Sequence, residues 1–472
     1  MLRALAVVVL TALAAAVALP DDQIGVSPSG HFVTFGNEVL LLIGESGTQC
    51  VPQNANINYR QWIDDCASRG IRAIHVWSFA PLRQHADGSK FEERWGYVIP
   101  GLTPWARHAS GPKAADQLPY YDFMHFDDGA DSELTRYWPR IRDICRYAKS
   151  KRMLVGITLF TGWAKHDADW VYHPLNAKNG GHLKDVKQAV QIASPETEVY
   201  AENWQDSWDD ARKTQWVWER LADEYIRQLN RLGNVFFVFL DEHSYDEGNM
   251  GDHFASFFRK RNAVYVDWAE RRDAIDFVYS DTLSHIDKNR DAVKGFLARS
   301  AKPYMFLEGE PYHGDAVRLS IWSFAMGGGH FFFHADTDQE TPHTGIMGYD
   351  PKVPGGDTGM IRRDWLGHAS RFFNEHVKRV DALSPHNELV STNAYCLASP
   401  GSEWIIYVRQ GDARECKVDL RDAVGKQLRY RFYSPRTGQF EAEAALRGGD
   451  WRSIDKPDIN DWVVHIVSAP KN

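Results

Sequence analysis

From about Val39 to Asp381 the chain repeats one unit: a short apolar run, a loop, a segment with apolar residues at helical spacing, and a tight return to the next apolar run. Strand-length apolar runs alternating with amphipathic helices predict parallel strands joined by crossover helices. Eight runs qualify: Leu40–Ile43, Ile71–Trp77, Met153–Phe160, Val235–Leu240, Ala263–Val266, Ala274–Tyr279, Tyr304–Leu307 and His330–His334. Local signals agree. Asn58 can cap the helix before the second run, Gln61 follows three residues on, and Gly70 supplies a left-handed stop. Gly233 ends the helix before the fourth run in the same way.

Returns into strands are short, whereas the connections leaving them are long, notably Ala80 to about Ser132 and Thr161 to about Ala211. In a (β/α)8 barrel the loops after the strands build the working face, so this asymmetry orients the molecule. After Asp381 the pattern changes to short strand-like runs, such as Trp404–Val408, Lys417–Leu420, Leu428–Tyr433 and Trp462–Val467, with turns between them and no helix-length periodicity. The sequence thus predicts an α/β (β/α)8 TIM barrel over residues 19–383 and a small β-sandwich over 384–472.

The first 18 residues have a positive start, an apolar middle and the small-residue site Ala16-Val17-Ala18, the pattern of a secretory signal peptide. A secreted, periplasmic or extracellular protein is expected, and no later segment is apolar enough to span a membrane. The formal charge of −9, with no Lys/Arg run of five or more, argues against a nucleic-acid partner. Five cysteines in 472 residues make no disulfide framework. Cys66 and Cys145 fall on apolar helix stripes and read as inert core thiols, whereas Cys396 and Cys416 lie in neighbouring strand-like segments and could pair.

Barrel enzymes carry catalytic side chains at strand ends, and two ends stand out. The fourth run enters Asp241-Glu242-His243, and the seventh enters Glu308-Gly309-Glu310-Pro311-Tyr312. A carboxylate directly after an apolar run is costly to keep charged, so two of them on strands four and seven call for a use. Adjacent residues of an extended segment point opposite ways, which leaves Asp241 and Glu242 in competition, and Glu308 and Glu310 share a face. With 17 Trp, 19 Tyr and 24 Phe, several in the long loops (Trp95, Trp105, Trp170, Trp204 and Trp208 among them), the chain has flat rings suited to the C–H faces of sugars. Trp77 and Trp163 directly follow strands and are the chosen stacking residues. His330 and His334 share a face of the eighth strand, with Asp336, Asp338 and His343 after them, but this spacing matches no strong metal motif. No metal or cofactor is expected. No Gly-x-Ser-x-Gly elbow, Walker loop or dinucleotide fingerprint occurs.

Taken together, the segments Gly30-His31-Phe32-Val33, Leu41-Leu42-Ile43-Gly44-Glu45-Ser46, Ser68-Arg69-Gly70-Ile71-Arg72-Ala73-Ile74, Lys302-Pro303 and Gly309-Glu310-Pro311 resemble the apiosidase-like glycoside hydrolases of clan A. The tail segments Ala394-Tyr395-Cys396-Leu397-Ala398, Tyr433-Ser434-Pro435-Arg436-Thr437-Gly438 and Asp461-Trp462-Val463 resemble the small collagen-binding-like domain that follows those barrels. The resemblance implies a secreted glycosidase that cleaves O-glycosidic bonds of a poly- or oligosaccharide by a retaining mechanism. It implies Glu242 as general acid/base, with Asp241 as the competing assignment, and Glu310 as nucleophile. Glu45, His75, Trp77, Trp163, Tyr312 and His334 form the expected sugar-binding set. The chain departs from the pattern at Asp241, where clan A members usually have Asn, and at Glu45, where these relatives often carry Asp. The rival reading is a non-catalytic polysaccharide- or matrix-binding protein on a barrel scaffold. Collagen binding follows from the tail domain's name alone.

Overall fold

The computed structural model describes residues 22–46, 51–55, 57–78, 101–161, 171–181, 215–241, 249–267, 276–280, 286–309, 315–333 and 358–469. The signal-like segment, Trp163, Glu242, Glu310, Tyr312 and His334 lie outside them. The chain opens with an antiparallel meander, β1 (Ile24–Val26), β2 (Val33–Phe35) and β3 (Glu38–Leu40). Strand β4 (Ile43–Ser46), helix α1 (Tyr59–Ser68) and strand β5 (Ala73–Trp77) follow, then a hairpin of β6 (Trp105–Arg107) and β7 (Tyr121–Phe126). Next come α2 (Tyr137–Ser150), β8 (Leu154–Thr161), α3 (Gln215–Leu229), β9 (Val235–Asp241), α4 (Asn249–Arg259), β10 (Tyr265–Asp267) and β11 (Phe277–Ser280). Helix α5 (Ile286–Leu297), β12 (Tyr304–Gly309), α6 (Asp315–Met326), β13 (His330–Phe333) and α7 (Thr358–Arg371) complete the series. Strands β4, β5, β8, β9, β10, β11, β12 and β13 close into a parallel barrel in chain order. The eight predicted runs supply these eight strands, and the fold is a (β/α)8 TIM barrel.

Alternation along each strand divides the apolar residues into two cores. Ala73, Leu154, Phe236, Val238, Val266, Phe277, Met305, Leu307 and Phe332 fill the lumen and meet Ile24, Val33, Phe35 and Leu40 of the meander, which plugs the barrel floor. Ile43, Ile74, Val76, Ile157, Phe237, Val278, Phe306, Phe331 and Phe333 face outward into a larger core with the helices. The predicted caps form: Asn58 Oδ1 accepts from Gln61 N at 3.2 Å, and Gly70 and Gly233 take φ values of 86° and 78°, conformations that only glycine adopts without strain.

The first strand is displaced from its predicted frame, Leu40–Ile43. Leu40 ends the meander, where it pairs with Val33. Side chains then take the next backbone groups: Asn374 accepts from Leu41 N and donates to its carbonyl, and His330 Nδ1 accepts from Leu42 N at 2.8 Å. The barrel strand begins only at Ile43. His330 Nε2 in turn donates to the His31 carbonyl at 3.2 Å.

Beyond α7, β14 (Ser384–Pro385), β15 (Ala394–Ser399), β16 (Glu403–Val408), β17 (Glu415–Asp419), β18 (Gln427–Tyr433), β19 (Ala444–Arg447), β20 (Trp451–Asp455) and β21 (Trp462–Ser468) form a β-sandwich-like domain. Its main sheet runs β14-β15-β16-β21-β18-β19, and β17 pairs with β20 in a second sheet. One face of the main sheet (Cys396, Trp404, Ile406, Val464, Ile466) packs under the small sheet, and the other (Tyr395, Leu397, Ile405, Tyr407, Val463) continues the outer core of the barrel. Burial on both faces explains why these strands read as apolar runs. Cys396 and Cys416, which could have paired, are free buried thiols. Among the described residues no helix is long and apolar enough to cross a membrane.

Candidate active site at the barrel mouth

The inward parity that fills the lumen with apolar side chains brings polar ones together at the C-terminal ends of the strands. Ser46 ends β4, His75 lies on β5 and Thr158 on β8; they are 0 %, 1 % and 1 % exposed. His75 Nδ1 lies 3.2 Å from Ser46 Oγ, and His75 Nε2 lies 2.7 Å from Thr158 Oγ1. Ser46 Oγ donates to the carbonyl oxygen of Leu307 on β12. A hydroxyl has one proton, so Ser46 must accept from His75 Nδ1–H. In a neutral ring Nε2 is then bare and accepts from Thr158. The result is a one-directional chain, Thr158 to His75 to Ser46 to Leu307, spanning four strands. Neither Ser46 nor Thr158 was among the sequence-predicted residues. The available signal was a small hydroxyl one position after an outward apolar or acidic residue on an inward-facing parity.

His75 lies within β5, with both ring nitrogens engaged within the protein. Trp77 is fully buried on the same inward parity, its ring centroid 4.5 Å from that of His75. Trp105 is likewise a core residue, against Phe123 of the β6–β7 hairpin.

Glu45 takes the outward parity, away from the lumen. Its Oε2 and Oε1 accept from Arg363 Nε and Nη2 of α7 at 2.6 and 2.9 Å, and Cys66 Sγ of α1 donates to Oε2 at 3.0 Å. All three side chains have no exposed surface or are fully within the core. Burial, then the Glu45 charge, pushes the Cys66 thiol well above its ordinary range, so it remains a donor. The acid expected to touch sugar is tied instead into the shell that locks α1 and α7 onto β4.

The registers of β9 and β12 bear on the paired acids. From Val155↔Val235 to Thr161↔Asp241 the β8–β9 pairing keeps one offset. On β12, Phe306 pairs with Phe331 but Gly309 pairs with Phe333, so β12 contains one extra residue between those pairs. Such a bulge reverses which face the following residues take. Asp241 ends β9, and Glu308 lies within β12.

Among the described residues no cluster of His, Cys, Asp or Glu could hold a metal ion. His330, whose spacing to His334 the sequence left without a metal motif, has both nitrogens on backbone groups.

No family model matches the chain, and no curated relative matches its sequence. Solved structures do share its fold. One described as a glycoside hydrolase superposes with a TM-score of 0.62 at 14 % identity, over 96 % of this chain and 98 % of the other. A glycoside hydrolase family 5 protein from Bacteroides vulgatus superposes with a TM-score of 0.62 at 14 % identity, over 96 % and 94 % of the two chains. At that identity the likeness establishes the architecture, barrel and β domain together.

Proposed function

We propose that the chain is a secreted glycoside hydrolase acting on a poly- or oligosaccharide by a retaining mechanism, with Glu242 as general acid/base and Glu310 as nucleophile. The likeness in fold to glycoside hydrolases along nearly the whole chain supports the class. The observation that carries the residue assignment is the contrast in register between β9 and β12. On β9, with its constant offset, Phe236 and Val238 face the lumen and Phe237 faces the helices. Glu242 has the parity of the first pair and Asp241 that of Phe237, which favours Glu242. On β12 an unshifted strand would give Glu310 the parity of outward Phe306. The extra residue changes that count: Gly309 pairs with Phe333, an outward residue, and alternation counted on from there supports Glu310 as the inward acid.

Two carboxylates flanking the scissile bond do both halves of the reaction. Glu242, protonated, gives its proton to the departing oxygen while Glu310, ionised, attacks the anomeric carbon; Glu242 then serves as base for the incoming water. The apiosidase-like resemblance belongs to this reading, as does an extracellular location after removal of the first 18 residues.

The test is a screen of the purified mature chain against aryl glycosides and a plant and microbial glycan panel, with the anomeric form of the first product read by NMR. Hydrolysis with retention, abolished in Glu310→Gln, supports the reading. A wild-type chain that cleaves nothing, or a Glu310→Gln variant as active as wild type, overturns it.

A further inference from the structure

We propose that Ser46, supported by His75 and Thr158, is a positioning residue for the seventh-strand acid: its hydroxyl fixes the carbonyl of Leu307 and so the backbone that leads through the bulge toward Glu310. The inference deepens the glycosidase reading and rests on it for the role of that acid.

Leu307 falls between the two pairs that mark the register shift, Phe306↔Phe331 and Gly309↔Phe333, where the ladder is interrupted. A bulge leaves main-chain groups without ladder partners, and a buried carbonyl needs a donor. The donor comes from β4, two strands away, with β13 in between. A hydroxyl reaching across a neighbouring strand ties down the one irregular point of β12. This point lies three residues before the acid on which retaining chemistry depends.

The donor is itself directed. Ser46 gives its one proton to Leu307, so toward His75 it can only accept, from Nδ1–H at 3.2 Å. Thr158 Oγ1, 2.7 Å from Nε2, donates to the nitrogen left bare in that tautomer. Because the three side chains are at most 1 % exposed, water cannot stand in for a missing partner. Retaining hydrolysis needs its two carboxyl groups about 5–5.5 Å apart, so a small drift of the strand end is felt in the chemical step.

The experiment compares Ser46→Ala, Ser46→Thr and Thr158→Val in the full chain, on one hydrolysed substrate, with Glu310→Gln alongside. Misplacing a reacting group by about 1 Å can cost about 10²-fold, and a loss of about 10–100-fold is expected in kcat of Ser46→Ala with KM within about two-fold of wild type. The acid limb of its pH profile should shift, Ser46→Thr should restore kcat to within about three-fold, and near-isosteric Thr158→Val should lose less, in the same direction. In the wild type at neutral pH, nitrogen-15 NMR should find His75 neutral with its proton on Nδ1. If Ser46→Ala fails to fold, Thr158→Val and the NMR tautomer decide. A Ser46→Ala kcat within about two-fold of wild type, a loss confined to KM, or a His75 proton on Nε2 alone overturns the positioning role. When Glu310→Gln is inactive in the same series, the glycosidase reading survives that result. When Glu310→Gln is fully active, the reading falls and this inference falls with it.

Discussion

Arg318 on α6 and Asp461, at the entry to β21, join the barrel to the β domain through a two-pronged contact, Nε to Oδ2 at 3.0 Å and Nη2 to Oδ1 at 2.9 Å. Arg318 is 2 % exposed and Asp461 is fully buried. Tyr407 donates to Oδ2 at 3.0 Å, and Arg436 Nη1 lies 3.3 Å from Oδ1. Asp461→Asn keeps the shape and leaves a buried guanidinium without its main counter-charge. Breaking a buried pair from one side typically destabilises by about 3–5 kcal/mol, the loss expected in denaturant unfolding. A change under about 1 kcal/mol, the scale of an exposed pair, would mean that the contact is solvated.

The Glu45–Arg363 pair separates a structural role from a binding one. Both side chains have no exposed surface, and each carboxylate oxygen accepts from the guanidinium. Glu45→Gln should therefore lower stability by about 3–5 kcal/mol while the fraction that remains folded keeps its KM. A KM raised tenfold or more at unchanged stability would return Glu45 to the sugar-binding set.

His330 makes a pH prediction. Its Nδ1 must stay bare to accept from Leu42, and burial pushes its pKa down from 6.5 to about 4. As pH falls below about 6.5 the unfolded chain takes up a proton that the native ring refuses until about 4. Stability attributable to this ring is therefore full above neutrality and drains away between those values, by about 3 kcal/mol in total. In His330→Asn, whose side-chain oxygen can replace Nδ1, unfolding free energies measured against pH should fall less steeply across that window. Parallel curves for the two proteins would refute the assignment.

Barrel order was legible because each strand is a local apolar run, and Asn58, Gly70 and Gly233 announce helix ends in their own neighbourhood. The frame of the first strand was not, because the backbone groups of Leu41 and the amide of Leu42 are taken by Asn374 and His330, which are 333 and 288 residues away. The partners of Glu45 were hidden for a related reason. A carboxylate at a strand end looks the same whether its parity turns it to the lumen or to a partner such as Arg363 on a distant helix. The acids of strands four and seven were visible as chemistry, but the register shift between Phe306 and Gly309 leaves no mark in the apolar pattern. Nor does the Ser46–His75–Thr158 chain, since isolated hydroxyls inside apolar runs usually serve only as small packing groups.

The two neighbours at the end of β9 can be told apart by the leaving group. Glu242→Gln removes the proton donor but keeps the shape, so cleavage of a natural glycan should fall by about 10²–10⁴-fold. Forming the glycosyl-enzyme from an activated aryl glycoside should suffer far less, because that leaving group departs without a proton. The intermediate then waits for a water that no base activates. Azide, which needs no base, should accelerate turnover of Glu242→Gln and yield the glycosyl azide with retained configuration. Asp241→Asn, altering the competing position, should keep glycan kcat within about threefold of wild type and gain nothing from azide. If azide instead rescues Asp241→Asn while Glu242→Gln behaves as wild type, the parity argument fails at the strand end and Asp241 is the acid.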